Sequence, residues 1–439
     1  MFIDKQTLSD LDIFKADEAG WSVFDIINKT KTSGGKYRLR EKLLHPPETI
    51  ENLKIQQDTI GFFANNFHSY LLPYSNQQMK LLEVYFSSNI ETIKNDEYFE
   101  CLQFYFKDIQ AYREIKSSIR KVIRFVYVFQ DFFKAIGKDE LPDFLRKIAH
   151  EISFVVNNQL FQNILSIFNK KGLYFFEVLK SDKILLTELK ISLKNIINGY
   201  YEIDVLLAMA KTCNENHFHF PVFTDDTNCS FKAEELYHPL IPNAIPYQVE
   251  INKDSNFIFL TGPNMAGKTT FLKAIGISVY LAHLGMGVPA KSLRLKYFQR
   301  LFTSINIPDN VLNGYSYFFS EVKRVKQLAE YLKNGENVFS MIDELFNGTN
   351  LKDAYDASAM VISSLVKWDN SVFMLSSHLW EIWDKISQFP NARSFCFESE
   401  IKEGAPVFTY HLLQGVSDMR LGMTIIENEK IMNLLDKRI

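Results

Sequence analysis

The stretch that decides the fold is "FIFLTGPNMAGKTTFLKAIGISVYLAHLG", residues 257–285. Its apolar start ends at a loop in which Gly262 and Gly267 enclose four residues before Lys268 and Thr269, the G-x-x-x-x-G-K-[ST] pattern. Glycines allow backbone conformations in which successive N–H groups face one anion, and the helical spacing after the loop places a positive helix end there. An ordinary glycine-containing turn is the alternative. The spacing and its flanks predict a nucleoside triphosphate site.

The loop pattern predicts a role for each polar side chain in it. Lys268 is expected to reach the terminal phosphates, and the Thr269 hydroxyl is expected to ligate magnesium. The predicted cofactors are therefore ATP and Mg²⁺. The predicted nucleotide-binding residues of the loop are Gly262, Pro263, Asn264, Met265, Ala266, Gly267, Lys268, Thr269 and Thr270.

Hydrolysis also needs an acid that holds the metal and a group that orients water. Asp343 and Glu344 follow the apolar run "VFSMI"; we predict that Asp343 holds magnesium and Glu344 polarises the water, and a helix-capping acidic pair is the alternative. His378 follows another apolar run, and ligands of open parallel sheets gather at the carboxyl ends of strands. His378 is thus predicted to contact the γ-phosphate, although a lone histidine is otherwise structural or solvated. Lys268, Glu344 and His378 are the predicted catalytic residues.

The composition predicts a globular cytoplasmic protein without a membrane segment. The chain has 439 residues, of which 46% are hydrophobic and 23% charged, and its formal net charge is −3. No apolar stretch reaches the roughly 18 to 20 residues that span a bilayer. The start "MFIDKQTLSDLDIF" lacks the basic-then-apolar pattern of a secretory signal. The four cysteines form no C-x-x-C pair, which argues against a zinc site or a disulfide framework and indicates a reducing compartment.

Two domains are predicted from the patterning. Residues 1–230 carry apolar residues at three- and four-residue spacing, which predicts an all-α domain. The segments "SGGK" (33–36), "HPP" (45–47) and "LPD" (141–143) are predicted to separate its helices. Residues 231–439 alternate short apolar runs with helical patterns, which predicts an α/β P-loop NTPase domain on a largely parallel sheet.

Several segments of the second half resemble one family. "TGPNMAGKTT", with Pro-Asn-Met inside the loop, is similar to the P-loop of the MutS family of ABC-type ATPases. "MIDELFNGTN" resembles that family's Asp-Glu segment, "LSSHLWEI" its switch segment and "ELYHPLIP" its His-Pro entry to this domain. "PDNVLNGYSYFFSEVKRVKQLAE" resembles the signature segment, in which Ser316 takes the place of a serine that completes the ATP site of a second subunit.

The first half resembles the same family's core, or lever, domain at residues 21–60 and 202–223. The resemblance implies an ABC-type, Mg²⁺-dependent ATPase that couples hydrolysis to lever or clamp movement on DNA, in mismatch repair or related DNA metabolism. It also implies DNA as a partner and a homodimer with composite ATP sites. Because the tail after the ATPase domain is short, we expect dimerisation to be weak without ATP.

The chain departs from the family pattern where mismatch recognition is expected. It begins at the core domain, so we expect it to be a short form without the mismatch-binding and connector domains. Ala244 stands where the family has an aromatic residue that stacks on adenine, and Tyr247 is the candidate substitute. Two alternatives remain. One is an ATPase that acts on DNA junctions without recognising mismatches, and the other is a nucleotide-switched protein-interaction module that does not bind DNA.

Basic residues predict where DNA binds. Arg113, Lys116, Arg120 and Arg124 have offsets of 0, 3, 7 and 11, which place them on one face of a helix. A second basic cluster lies between residues 29 and 42. Either cluster would contact phosphates in a salt-sensitive and sequence-independent way. A solvated helix face is the alternative for each cluster.

Overall fold

The structure is a computed structural model that describes residues 1–14, 20–66, 70–87, 93, 98–137, 141–226, 229–306, 317–402 and 405–417. The chain divides into two compact units. We call Asn28–Lys42 and Ile55–Thr212 the helical unit. We call Met1–Ile27, Leu43–Lys54 and Cys213–Ile439 the sheet unit.

The secondary structure of the described residues is as follows. The helices are α1 (Lys5–Asp10), α2 (Val23–Ile27), α3 (Ser33–Leu44), α4 (Ile50–Asn65), α5 (Asn76–Ser87), α6 (Tyr98–Lys107), α7 (Ile109–Ile136), α8 (Asp143–Asn157), α9 (Gln159–Phe168), α10 (Phe175–Leu186), α11 (Lys190–Glu215), α12 (Lys268–His283), α13 (Tyr317–Lys333), α14 (Leu351–Leu365) and α15 (Trp383–Ile386). The strands are β1 (Val222–Phe223), β2 (Cys229–Leu236), β3 (Tyr247–Asn252), β4 (Phe257–Thr261), β5 (Ser292–Leu295), β6 (Arg300–Ser304), β7 (Val338–Asp343), β8 (Val372–Ser376), β9 (Ala392–Lys402) and β10 (Ala405–Gln414). None of these helices combines the length and the apolar character needed to cross a bilayer.

The long helix α7 shows how the helical unit is stabilised. Asp108 caps its start, because the Asp108 side chain accepts a hydrogen bond from the backbone N–H of Ala111. The apolar residues of α7 recur at three- and four-residue spacing, and that face is buried. Phe125 and Phe129 of this face lie 5.7 and 5.1 Å from the ring centroid of Tyr200. Burial of aromatic rings therefore holds α7 and α11 together.

The sequence pattern predicts that "SGGK" separates two helices, and this is wrong. Its two glycines lie in the first turn of α3. A Cβ on Gly34 would lie 2.5 Å from the ring of Tyr201, and a Cβ on Gly35 would lie 2.2 Å from a carboxylate oxygen of Asp204. Asp204 also accepts hydrogen bonds from the backbone N–H groups that precede α3, including that of Thr32 at 2.9 Å. The two glycines therefore allow α3 to approach α11 closely.

A six-stranded sheet organises the sheet unit, in the order β10-β9-β4-β8-β7-β6. Strands β9, β4, β8, β7 and β6 run parallel, and β10 runs antiparallel to β9. The central strands β4 and β8 are buried over their whole length, as expected of a parallel sheet that is covered on both faces. A smaller sheet has the order β1-β5-β2-β3. The predicted combination of an α/β part on a largely parallel sheet with a helical part is confirmed.

The first 27 residues belong to the sheet unit. The boundary predicted from the sequence, between residues 230 and 231, instead places them with the helices. The reason is a set of hydrogen bonds between segments far apart in sequence. The buried Asp10 accepts hydrogen bonds from the Thr303 hydroxyl at 2.6 Å and from the Ile305 backbone N–H at 3.0 Å. These bonds tie α1 to the end of β6.

Candidate functional site

The loop at residues 262–267 joins β4 to α12 and depends on its glycines. Gly262 has φ +138° and Gly267 has φ +103°, conformations that residues with a Cβ rarely adopt. A Cβ on Gly267 would also lie 3.1 Å from the ring of Tyr410. Met265 has φ +69° and is 74% exposed, whereas Ala266 is buried. The loop thus bends tightly directly before the N-terminus of a 16-residue helix.

Lys268 is the first residue of α12, and its ammonium group folds back over the loop. Its Nζ donates hydrogen bonds to the carbonyl oxygens of Gly262 at 2.8 Å and Pro263 at 3.1 Å. The side chain is buried, and burial lowers the pKa of Lys268, while the carboxylates of Glu344 and Asp343 act in the opposite direction. A buried cation at a helix N-terminus favours an anionic ligand.

The hydroxyl of Thr269 and the carboxylate of Asp343 form a hydrogen bond at the carboxyl edge of the sheet. Thr269 Oγ1 lies 2.5 Å from Asp343 Oδ2, and the Ser376 hydroxyl donates to Asp343 Oδ1. Asp343 and Ser376 are also register partners at the ends of β7 and β8. Mg²⁺ in nucleotide sites takes oxygen ligands from one or two carboxylates together with phosphates, so a hydroxyl beside a carboxylate suits that ion. No group of three or more acidic, histidine or cysteine side chains suited to a metal occurs among the described residues.

Glu344 follows Asp343 and is held by two side chains. His378 Nε2 lies 2.5 Å from Glu344 Oε1, and the Asn347 side-chain amide donates to Glu344 Oε2. The hydrogen bond from His378 is the main reason that the pKa of Glu344 lies below its ordinary value, and Asn347 and Lys268 act in the same direction. Glu344 has φ +58°, which places its backbone in the left-handed region. The carboxylate is therefore ionised near neutral pH and fixed in orientation.

A cavity of about 500 Å³ lies beside these groups, within the size range of ligand pockets. Two tyrosines belong to its wall: Tyr247 is buried, and Tyr410 is 39% exposed. Tyr410 comes from β10 at a point where the register with β9 shifts, and its φ is +58°. The lining residues are His238, Ile241, Asn243, Ala244, Ile245, Tyr247, Asn264, Met265, Gly267, Lys268, Thr269, Thr270, Glu344 and Tyr410.

The buried histidine of this wall, His238, is neutral at physiological pH. Burial, followed by the nearby charge of Lys273, lowers the pKa of His238 to about 4, and Asp12 acts in the opposite direction. The Leu240 backbone N–H donates to His238 Nδ1 at 3.3 Å. His238 therefore adds a polar group to the cavity but no positive charge.

The structure brings most of the predicted site residues together. Of the predicted nucleotide-site residues outside the cavity lining, Gly262 and Pro263 bind Lys268, Asp343 binds Thr269, and His378 binds Glu344. Ala266 is buried in the loop, and its backbone N–H donates to the carbonyl oxygen of Pro263. Ser316 lies outside the described residues. Three further residues of the site, Ser376, Asn347 and Tyr410, are not among those predicted from the sequence. Ser376 and Asn347 lie within three residues of a predicted site residue, which was a usable signal, whereas nothing in the local sequence marked Tyr410.

The basic residues predicted to bind DNA lie on α7, in the helical unit. They line a surface concavity of about 410 Å³, and within the described part of the chain none of its cations pairs with a carboxylate. Its lining residues are Arg113, Lys116, Ser117, Arg120, Lys121 and Arg124. The second basic cluster is partly neutralised by a carboxylate. A guanidinium nitrogen of Arg38 lies 3.9 Å from Glu202 Oε1, and Lys42 Nζ lies 3.3 Å from Glu202 Oε2. The face of α7 is therefore the better candidate for binding an external polyanion.

Comparison with known proteins finds a family match in the C-terminal part of the chain. Residues 258–435 match the family model of MutS domain V. These residues are therefore similar to MutS domain V. The resemblance to the MutS family that the motifs indicated is thereby confirmed. The MutS domain V match begins within β4 and includes the loop, Asp343, Glu344, His378 and Tyr410.

Curated relatives carry the same family name. The DNA mismatch repair protein MutS of Anaplasma phagocytophilum is 28% identical over 227 residues, which cover 51% of this chain and 27% of that protein. The proteins of the same name from Geobacillus sp. (strain WCH70) and Shouchella clausii are 25% and 24% identical, over 54% of this chain and 28% and 27% of their own lengths. The match thus spans little more than a quarter of the length of these relatives.

Proposed function

We propose that the chain is a Mg²⁺-dependent ATPase with an ABC-type P-loop at residues 262–270. One observation carries this proposal: a buried lysine, a hydroxyl–carboxylate pair and a histidine-bound glutamate converge at one edge of a parallel sheet, beside one cavity. Ligands of open α/β sheets bind at this edge. The match of residues 258–435 to the family model of MutS domain V supports the same function.

The proposed roles follow from the positions of the side chains. Lys268 exchanges its two carbonyl partners for the terminal phosphates, and the N–H groups at the start of α12 bind the same anion. Thr269 and Asp343 would hold Mg²⁺. When bound, Mg²⁺ supplies positive charge that neutralises the charge developing on the transferred phosphoryl group.

Glu344 is proposed as the residue that orients the attacking water and accepts its proton. The water oxygen forms a bond to the γ-phosphorus, the bond to the bridging oxygen breaks, and ADP and phosphate are the products. His378 keeps Glu344 ionised and oriented, and its position supports a contact with the γ-phosphate. A positioned general base of this kind contributes about 10²- to 10⁴-fold to a rate.

The test is ATP binding and hydrolysis by the purified chain with and without Mg²⁺. We expect Mg²⁺-dependent hydrolysis, and we expect Lys268→Ala to abolish tight ATP binding because the loop loses its buried positive charge. Lys333→Ala, at an exposed position in the last turn of α13, is the control and should bind like the wild type. A Lys268→Ala variant that binds ATP as tightly as the wild type would contradict the proposal.

We further propose that this ATPase acts on DNA, in mismatch repair or related DNA metabolism, by coupling the nucleotide state to movement of lever helices. The cations on α7, which form no ion pair with any carboxylate of the described residues, support the DNA partner. Lys and Arg that face phosphates supply the sequence-independent part of DNA affinity. The proposed location is the cytoplasm. The described cysteines Cys101, Cys213 and Cys396 form no disulfide, in keeping with a reducing compartment.

The proposed active form is a homodimer in which Ser316 completes the nucleotide site of the second subunit. This part rests on the resemblance of the signature segment. Mixing a Lys268→Ala chain with a Ser316→Arg chain should leave at most one intact site in each mixed dimer, so the mixture should recover part of the activity that each variant lacks alone. Specific activity that stays constant on dilution to a demonstrated monomer would contradict the composite site.

A further inference from the structure

A buried carboxylate outside the nucleotide cavity holds the loop that follows Glu344. Glu321 of α13 is 2% exposed, and its two oxygens accept hydrogen bonds from the backbone N–H groups of Asn347 at 3.1 Å and Gly348 at 3.2 Å. Burial raises the pKa of Glu321, and the N–H groups of the loop act against that rise. A buried acid requires such donors, and here the loop supplies them.

The loop held by Glu321 has an unfavourable backbone conformation. Glu344 and Phe346 have φ of +58° and +62°, although neither is a glycine. Such residues carry backbone strain and persist only where the surroundings fix them. Gly348 completes the contact, because a Cβ there would lie 2.5 Å from the backbone nitrogen of Phe318 in α13. The rings of Phe318 and Phe346 also pack, with centroids 5.6 Å apart.

Asn347 links Glu321 to Glu344. Its backbone N–H donates to Glu321, and its side-chain amide donates to Glu344 Oε2. The other oxygen of the Glu344 carboxylate faces His378 at 2.5 Å. The orientation of Glu344 therefore depends on where Glu321 holds the backbone of residue 347.

We propose that Glu321 is a positioning residue for Glu344 and acts through Asn347. This inference rests on the proposed function, since it concerns the residue assigned as the base for ATP hydrolysis. Without the Glu321 carboxylate, the strained loop relaxes, Asn347 moves away, and Glu344 loses one of its two restraints. Misplacement of a catalytic group by about 1 Å can cost on the order of a hundredfold in rate. Lys268 and the glycine loop are separate from this contact, so ATP binding is preserved.

The test compares kcat and KM for ATP in the full chain carrying Glu321→Gln, Asn347→Ala or both. Glutamine has nearly the shape of glutamate but directs an NH₂ group at backbone donors. We expect kcat to fall about tenfold or more in each single variant, KM to stay within about twofold, and the double variant to be no slower than the slower single variant. Glu330→Gln, at an exposed position on the same helix, is the matched control and should leave kcat unchanged.

Hydrogen exchange of the amides of residues 346–348 gives a readout that does not need catalysis. We expect exchange at these amides to accelerate at least about tenfold in Glu321→Gln and to stay at the wild-type rate in Glu330→Gln. The inference is overturned if kcat of Glu321→Gln stays within twofold of the wild type, if the two single effects multiply in the double variant, or if exchange is unchanged. A wild-type chain that hydrolyses no ATP would instead refute the proposed function, and the exchange rates would still decide whether Glu321 holds the loop.

Discussion

Thr269 Oγ1 lies 2.5 Å from Asp343 Oδ2, although the two residues are separated by 74 positions. Strand β8 lies between β4, which leads into the loop before Thr269, and β7, which ends at Asp343. The contact therefore joins side chains that follow or end strands that are not neighbours in the sheet. Ser376, at the end of that middle strand, donates its hydroxyl to the same carboxylate. The start of α12 and the ends of β8 and β7 therefore bring three side-chain oxygens together, one residue from Lys268.

This convergence predicts how the reaction depends on magnesium. Thr269→Ala removes one of the two proposed oxygen ligands and should raise the Mg²⁺ concentration for half-maximal ATP hydrolysis about tenfold. Thr187→Ala removes an exposed threonine hydroxyl at the C-terminal end of α10, which donates to the Lys183 carbonyl oxygen, and it should have no such effect. The measurement is a Mg²⁺ titration of steady-state hydrolysis. An unchanged titration midpoint in Thr269→Ala would show that this hydroxyl does not contact the metal.

The cations of α7 predict DNA binding that depends on salt but not on base pairing. Lysine and arginine on a helix face bind phosphates and shape, so a duplex with a G·T mismatch and its perfect match should bind within about threefold, a difference under about 0.7 kcal/mol. Replacing Arg113, Lys116, Arg120 and Arg124 with alanine should weaken both duplexes alike. The slope of log K against log salt should become shallower by about 3 to 4.

A control with the same charge change separates this face from a general charge effect. It replaces four exposed lysines elsewhere in the helical unit and should bind DNA nearly as the wild type does. The control positions are Lys80, Lys147, Lys171 and Lys194. A tenfold preference for the mismatch would contradict the prediction. Preference for branched DNA would favour a junction ATPase, and no binding to any DNA at low salt would favour a protein-interaction module.

His283 predicts that the sheet unit loses stability in acid. It is fully buried, accepts a hydrogen bond from the Phe298 backbone N–H at 3.0 Å, and burial lowers its pKa to about 3. An unfolded chain binds the His283 proton below about pH 6.5, whereas the folded chain does not until about pH 3. The contribution of His283 to stability is therefore constant above pH 6.5 and falls below it. The expected loss from His283 is about 2 kcal/mol between pH 6.5 and 4.5.

Urea unfolding at several pH values checks this prediction. The wild type should unfold at lower urea concentrations as the pH falls from 6.5 to 4.5, and His238 contributes in the same direction. His283→Gln cannot gain the proton, so its stability should change less over the same range, even if it is lower at pH 7. An equal slope for both proteins would show that His283 is not the group that titrates.

Local sequence patterns predict several side chains that the structure places together at one edge of the sheet. The loop, the Asp343–Glu344 pair and His378 each follow an apolar run, and parallel strands bring such ends to one edge. The strand runs and the helical spacing likewise predicted a parallel sheet beside a helical part. These features depend on residues close together in the chain.

Other features arise from tertiary contacts that no local pattern carries. Tyr410 enters the cavity because β10 shifts register against β9, and an alternating strand pattern does not show such a shift. Gly34 and Gly35 appeared to break a helix because their packing partners, Tyr201 and Asp204, lie far along the chain. Asp10 joins the first residues to β6 through hydrogen bonds that span nearly 300 positions.

The most direct test of the account is the comparison of ATP binding and single-turnover hydrolysis in Glu344→Gln. The amide keeps the size of the side chain but cannot accept the proton of the attacking water. We predict that ATP affinity stays within about threefold of the wild type and that hydrolysis slows by at least about a hundredfold. Glu330→Gln, which makes the same chemical change at an exposed position, should hydrolyse ATP at the wild-type rate. Hydrolysis by Glu344→Gln at the wild-type rate would contradict the assignment of Glu344 as the base and, with it, the proposed mechanism.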